Sequence, residues 1–111
     1  MTEQRLYPRE ELVAAMICAL ETGAVSTFCI VKNVSLDGVL LECPLADEGD
    51  PFDVGDSAAF GDILTGPKAL FDDKIGEIVW VYKRHIGLHF DHLIMESPEQ
   101  LRDWLAERNL V

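Results

Sequence analysis

Short apolar runs separated by polar breaks dominate this chain, and most of them have the spacing of strands. Val25 to Lys32 is β-branched and aromatic, with no good helix-forming stretch, and predicts a strand. Gly38 to Cys43 predicts a second, short and buried, which Pro44 stops. Leu45 to Asp56 is acidic, with two glycines and Pro51, and reads as a solvated loop. Ser57 to Leu64 is a further strand candidate, followed by a Thr65-Gly66-Pro67 turn. Lys74 to Lys83 has the clearest two-residue period. Ile75, Glu77, Val79, Val81 and Lys83 would share one face, and Gly76, Ile78, Trp80 and Tyr82 the other. Lys83-Arg84-His85 forms a tip, and Ile86 to Phe90 returns as a closing strand.

Two segments depart from this rhythm. Leu12, Val13, Met16, Ile17 and Leu20 have helical spacing, with Gly23 placed to end a helix. The same stretch also fits the first arm of a hairpin that turns at Glu21-Thr22-Gly23-Ala24, so its residues alone leave helix and strand open. Ser97-Pro98-Glu99-Gln100 predicts a helix start: a capping serine, proline at the first helical position and glutamine completing a capping box. Leu101, Trp104 and Leu105, with Leu110 beyond, form one apolar stripe that covers a core or meets a partner.

Composition narrows the class. A chain of 111 residues that is 49% hydrophobic makes one domain with a core. Its net charge of −11 argues against polymeric nucleic acid or an anionic membrane as partner, but not against a small anion met by local arginines. No basic start leads into a signal-like apolar core, and no apolar run reaches the roughly 18 residues of a membrane span. Cys18, Cys29 and Cys43 each sit in an apolar run and read as reduced core thiols of a cytoplasmic protein.

The polar cluster Asn33-Val34-Ser35-Leu36-Asp37-Gly38 lies between two apolar runs. Asn, Asp and Gly favour turns, and exposed turn N–H groups suit an anion. Upstream stand Arg5 and Arg9, whose planar forks pair with phosphate or with the O6/N7 edge of guanine. Arg-x-x-x-Arg followed by Asn-x-Ser-x-x-Gly resembles the PilZ domain, a bacterial receptor for cyclic di-GMP. Gly87 and Phe90 match the Gly-x-x-Phe strand that ends such domains, so the resemblance extends over most of the chain.

That resemblance implies a strand at residues 12–20 and a small six-stranded antiparallel β-barrel with a C-terminal helix. One domain would then comprise a flexible arm at 1–11, the barrel at 12–93 and the helix at 97–109. It also implies a non-catalytic receptor without cofactor, in which Arg5 and Arg9 take phosphate or guanine. Asn33 and Ser35 would hydrogen-bond the ligand, and Gly38 would leave it room. The arm would order over the nucleotide and signal to an effector protein. Asn33 stands where the family often has Asp, and Glu10 and Glu11 follow Arg9 directly. The rival reading is a PilZ-like module that docks through its acidic surface and the Trp104 stripe without binding nucleotide.

Other chemistry finds little support. On a strand, His85 and His89 would lie about 13 Å apart at roughly 3.3 Å per residue, too far for one metal ion. Ser35 has no nucleophile elbow around it, and phosphate-binding glycine loops are absent from the sequence.

Overall fold

The computed structural model describes residues 7–14, 16–23, 26–44, 52–65, 71 and 74–111, the side chains of 61–65 excepted. Seven strands and one helix occur among them: β1 (Glu10–Glu11), β2 (Ile17–Glu21), β3 (Ser26–Val34), β4 (Gly38–Glu42), β5 (Ser57–Thr65), β6 (Ile75–Tyr82), β7 (His85–Phe90) and α1 (Pro98–Glu107). Every pairing is antiparallel. β3 pairs with both β2 and β4, which closes β2, β5, β6, β7, β4 and β3 into a six-stranded barrel with β1 added on β3. Closure leaves the barrel strands without an open edge to pair with another chain.

The segment with helical spacing is a strand. Ile17 to Glu21 is hydrogen-bonded between β3 and β5, so tertiary pairing on both edges outweighs its helix propensity. Its apolar residues do not share one covered face either, for Val13 is 79% exposed while Met16 and Leu20 are fully buried. Glu10 and Glu11, assigned to the arm from the sequence, instead pair with Val34 and Asn33. Leu12 and Val13 continue this anchoring through N–H bonds to the carbonyls of Lys32 and Leu110. Arg5 and the rest of 1–6, the 45–51 part of the acidic loop, Ala24 and Val25 of the first hairpin and the Gly66-Pro67 turn lie outside the described residues.

The barrel interior is filled by Met16, Leu20, Val31, Val34, Leu41, Ile78, Ile86 and Leu88. Phe60 and Phe71 stack at 4.3 Å between ring centroids, with Phe90 tilted against both at 6.2 and 6.1 Å. The even period read along β6 breaks at a register shift between Ile78 and Trp80. Beyond it the faces exchange: Val81 packs on the core and Tyr82 is exposed, the reverse of the expected alternation.

Helix α1 starts as its sequence predicts, with the Ser97 hydroxyl accepting the Gln100 N–H at 3.2 Å. The Gln100 side chain reaches back one residue beyond the cap, to the N–H of Glu96 at 2.9 Å. Leu101, Leu105 and Leu110 are buried in the core, whereas Trp104 is half-buried with the Arg108 guanidinium 3.9 Å from its ring centroid.

Gly38 owes its identity to a close approach between strands. A Cβ there would lie 2.5 Å from the Leu88 carbonyl oxygen, while no residue from Asn33 to Gly38 has positive φ. Gly38→Ala is therefore expected to destabilise the barrel by about 1–3 kcal/mol, the scale of overpacking. Gly23→Ala, which meets nothing within 4 Å, serves as the control; urea melts compare the two.

All three cysteines are buried. Burial, helped by the nearby Cys43, pushes the Cys18 thiol from 9.0 up to about 12. The Cys29 thiol is raised further by its hydrogen bond to Cys43 and by burial. Below 9.0 both folded and unfolded chains keep the Cys18 proton; above it only the unfolded chain releases it, so stability falls as pH rises toward 12. Thermal melts between about pH 8 and 11 are expected to show this loss, with a shallower slope in Cys18→Ala.

Candidate functional site

The candidate site is the hairpin that joins β3 to β4. Val31 pairs with Leu41 and Asn33 with Leu40, so Lys32 is an extra residue on β3. This insertion changes the phase of the strand. Val31 and Val34 point inward opposite Leu41 and Val39, while Asn33 stands on the outer side with half-buried Leu40. Had β3 kept an unbroken alternation through Lys32, an amide would have entered the apolar core.

The turn itself is tight. Ser35 N–H donates to the Gly38 carbonyl at 2.9 Å, and the Ser35 hydroxyl donates to Asp37 Oδ1 at 2.8 Å. Asp37 also accepts the Phe90 N–H on its carbonyl at 2.7 Å, and its Oδ2 lies 3.8 Å from His89 Nε2. Leu36 at the tip is buried, and its carbonyl accepts the Ile94 N–H at 3.0 Å. The hairpin is thus held from both sides, by β7 and by the segment leading into α1.

Asn33 and Ser35 are only 5% and 4% exposed. Asn33 Oδ1 is buried with no hydrogen-bond partner among the described residues. Such an orphan acceptor is costly, and it calls for a donor that arrives from elsewhere. Ser35, having given its proton to Asp37, keeps lone pairs to accept with. The sequence suggested a concavity of N–H groups for an anion. In the structure the Ser35 N–H is already taken, and the side chains offer acceptors instead.

Arg9 precedes Glu10, which pairs with Val34, so one further step of that register sets Arg9 opposite Ser35. Its neighbour Glu10 is turned away toward Arg102, 3.6 Å from the guanidinium, with its side chain only 14% exposed. That pair compensates one of the two carboxylates that follow Arg9. Arg5, the other arginine of the motif, lies outside the described residues.

Two further groups adjoin the hairpin. The register runs Asn33, Leu40, Gly87, Trp80 across β3, β4, β7 and β6. A Cβ on Gly87 would fall 2.3 Å from Trp80 Nε1, so the indole lies directly over the glycine. The parallel row continues from Gly38 to His89 and Glu77. Sequence reasoning had not given roles to Asp37, His89 or Trp80. For Asp37 the one signal was its place in the turn cluster, where Asp is common.

Among the described residues no group of three His, Cys, Asp or Glu side chains could hold a metal ion, and no helix is long and apolar enough to cross a membrane.

Because Asn33 Oδ1 has no partner among the described residues, Asn33→Leu, which keeps the branched skeleton without its polar atoms, is expected to keep the melting temperature, the lost polar cost offsetting the strain of a larger side chain. An unsatisfied buried acceptor costs about 1–3 kcal/mol, which leucine removes. A fall in melting temperature comparable to a core truncation would show that the amide is structurally required.

The sequence profile of the PilZ domain matches residues 3–107. No curated protein shows significant similarity to the chain.

Proposed function

Since a match over nearly its whole length places this chain in the PilZ domain family, we propose that it is a non-catalytic receptor whose β3–β4 hairpin binds cyclic di-GMP. The observation that carries this is the orphan Asn33 acceptor beside Ser35. A guanine base offers N–H donors at N1 and N2, the complement of those acceptors. Arg9, set opposite Ser35 by the β1–β3 register, donates to a phosphate or to guanine O6/N7, and Arg5 takes the same role on the arm. Leu40 and the indole of Trp80 over Gly87 provide a flat apolar floor on the outer face.

Binding at Asn33 and Ser35 requires movement, because both side chains are buried. In this proposal the hairpin side chains become accessible to the nucleotide, and the arm that carries Arg5 and Arg9 folds over it. Ordering the arm costs some of the interaction energy and makes a change that an effector protein reads. The same burial is what favours the rival, a module that works by protein contact alone.

Calorimetric titration of cyclic di-GMP into the protein separates the two. Micromolar or tighter binding is expected, weakened at least tenfold, about 1.4 kcal/mol, in Arg9→Ala and in Ser35→Ala. No heat and no shift in melting temperature at millimolar nucleotide would leave the contact module as the reading that stands.

A further inference from the structure

The three cysteines form a row across adjacent strands. Cys18 pairs with Cys29 between β2 and β3, and one step beyond Ile30↔Glu42 the β3–β4 register sets Cys29 opposite Cys43. All three are at most 1% exposed.

The two neighbouring pairs are not equivalent. Val31 N–H donates to the Met16 carbonyl, so Val31 and, two residues back, Cys29 turn their main-chain groups toward β2. Cys43 N–H donates to the Arg84 carbonyl, so Cys43 turns its own toward β7. Cys29 and Cys43 therefore face each other at a non-hydrogen-bonded position, where antiparallel Cα atoms are about 4.5 Å apart and side chains are closest. Cys18 and Cys29 occupy the wider hydrogen-bonded position, about 5.5 Å. In agreement, Cys43 is the neighbour that does most to hold the Cys29 thiol in its protonated form.

We propose that Cys29 and Cys43 are a modification site, a thiol pair that a two-electron oxidant joins as a disulfide at the root of the β3–β4 hairpin, leaving Cys18 a free thiol. The bond closes residues 29–43, a loop that contains Asn33, Ser35 and Gly38. Cys43 is the sulfur that meets the oxidant first. It follows the last residue of β4 and precedes exposed Pro44, and strand ends open before strand centres. With a diazene such as diamide, the Cys43 thiolate adds to one nitrogen of the N=N bond. As the adduct's nitrogen takes the Cys29 proton, the Cys29 sulfur attacks the Cys43 sulfur and expels the hydrazine. Two thiols lose two protons and two electrons, and the diazene gains both.

The test is diamide treatment of the folded protein, followed by alkylation with iodoacetamide in denaturant. Non-reducing digestion with trypsin and chymotrypsin then separates the three cysteines, since cleavage after Phe28 and Lys32 frees Cys29 to Lys32. Mass spectrometry is expected to find that fragment joined to the one holding Cys43, with Cys18 alkylated. Cys18→Ala is expected to retain the cross-link and Cys43→Ala to lose it. The proposal is overturned by a dominant bond to Cys18, or by three alkylated cysteines under conditions that oxidise a urea-unfolded sample. A cross-linked product without a cooperative melt also overturns it, because the bond would then belong to unfolded chain. None of these readouts involves cyclic di-GMP, so they are independent of the receptor reading.

Discussion

One extra residue in β3 governs how this barrel meets its surroundings. Lys32 has no opposite number on β4, and its insertion reverses the strand's inside and outside from that point on. Before it, Cys29 and Val31 face the core; after it, Val34 does, and Asn33 is released to the outer side. The same strand must also close the barrel by pairing with β2 and β4 and must hold β1. Asn33 therefore sits on the best-connected strand of the fold, with Ser35 directly after it. Side chains on such a strand are held in place by its three neighbours.

The fold was largely legible before the structure. The strand period of residues 74–83, the capping box at Ser97 and the order of the arginine and Asn-x-Ser-x-x-Gly boxes all point to the observed architecture. Periodicity failed where strands slip. It read β6 as evenly alternating, because a bulge leaves no mark in the spacing of apolar residues and is set by the neighbouring strand. The stretch around Ile17 misleads for a related reason: its helical spacing is real, but two flanking strands claim its hydrogen bonds.

The site was legible in its identities and not in its environment. Asn33, Ser35 and Gly38 do lie together on one hairpin. Their burial, the orphan amide oxygen and the approach of Leu88 to Gly38 come from chain segments far away in sequence. The ion pair of Glu10 with Arg102 is likewise invisible to local reading, yet it bears on how the field at Arg9 is judged in a chain of charge −11. A global charge says little about Arg9 when the carboxylate beside it has its own counter-ion.

The bond from Ile94 N–H to the carbonyl of Leu36 ties the hairpin tip to the segment that leads into α1. A helix docked through Leu101 and Leu105 and the hairpin that carries Asn33 and Ser35 thus share one mechanical joint. Thermodynamic linkage then runs in both directions: any partner that grips α1 and shifts that joint changes affinity at the hairpin by the same factor that a hairpin ligand changes affinity for the partner. A protein that bound α1 would in that sense act on the hairpin from the far side of a single hydrogen bond.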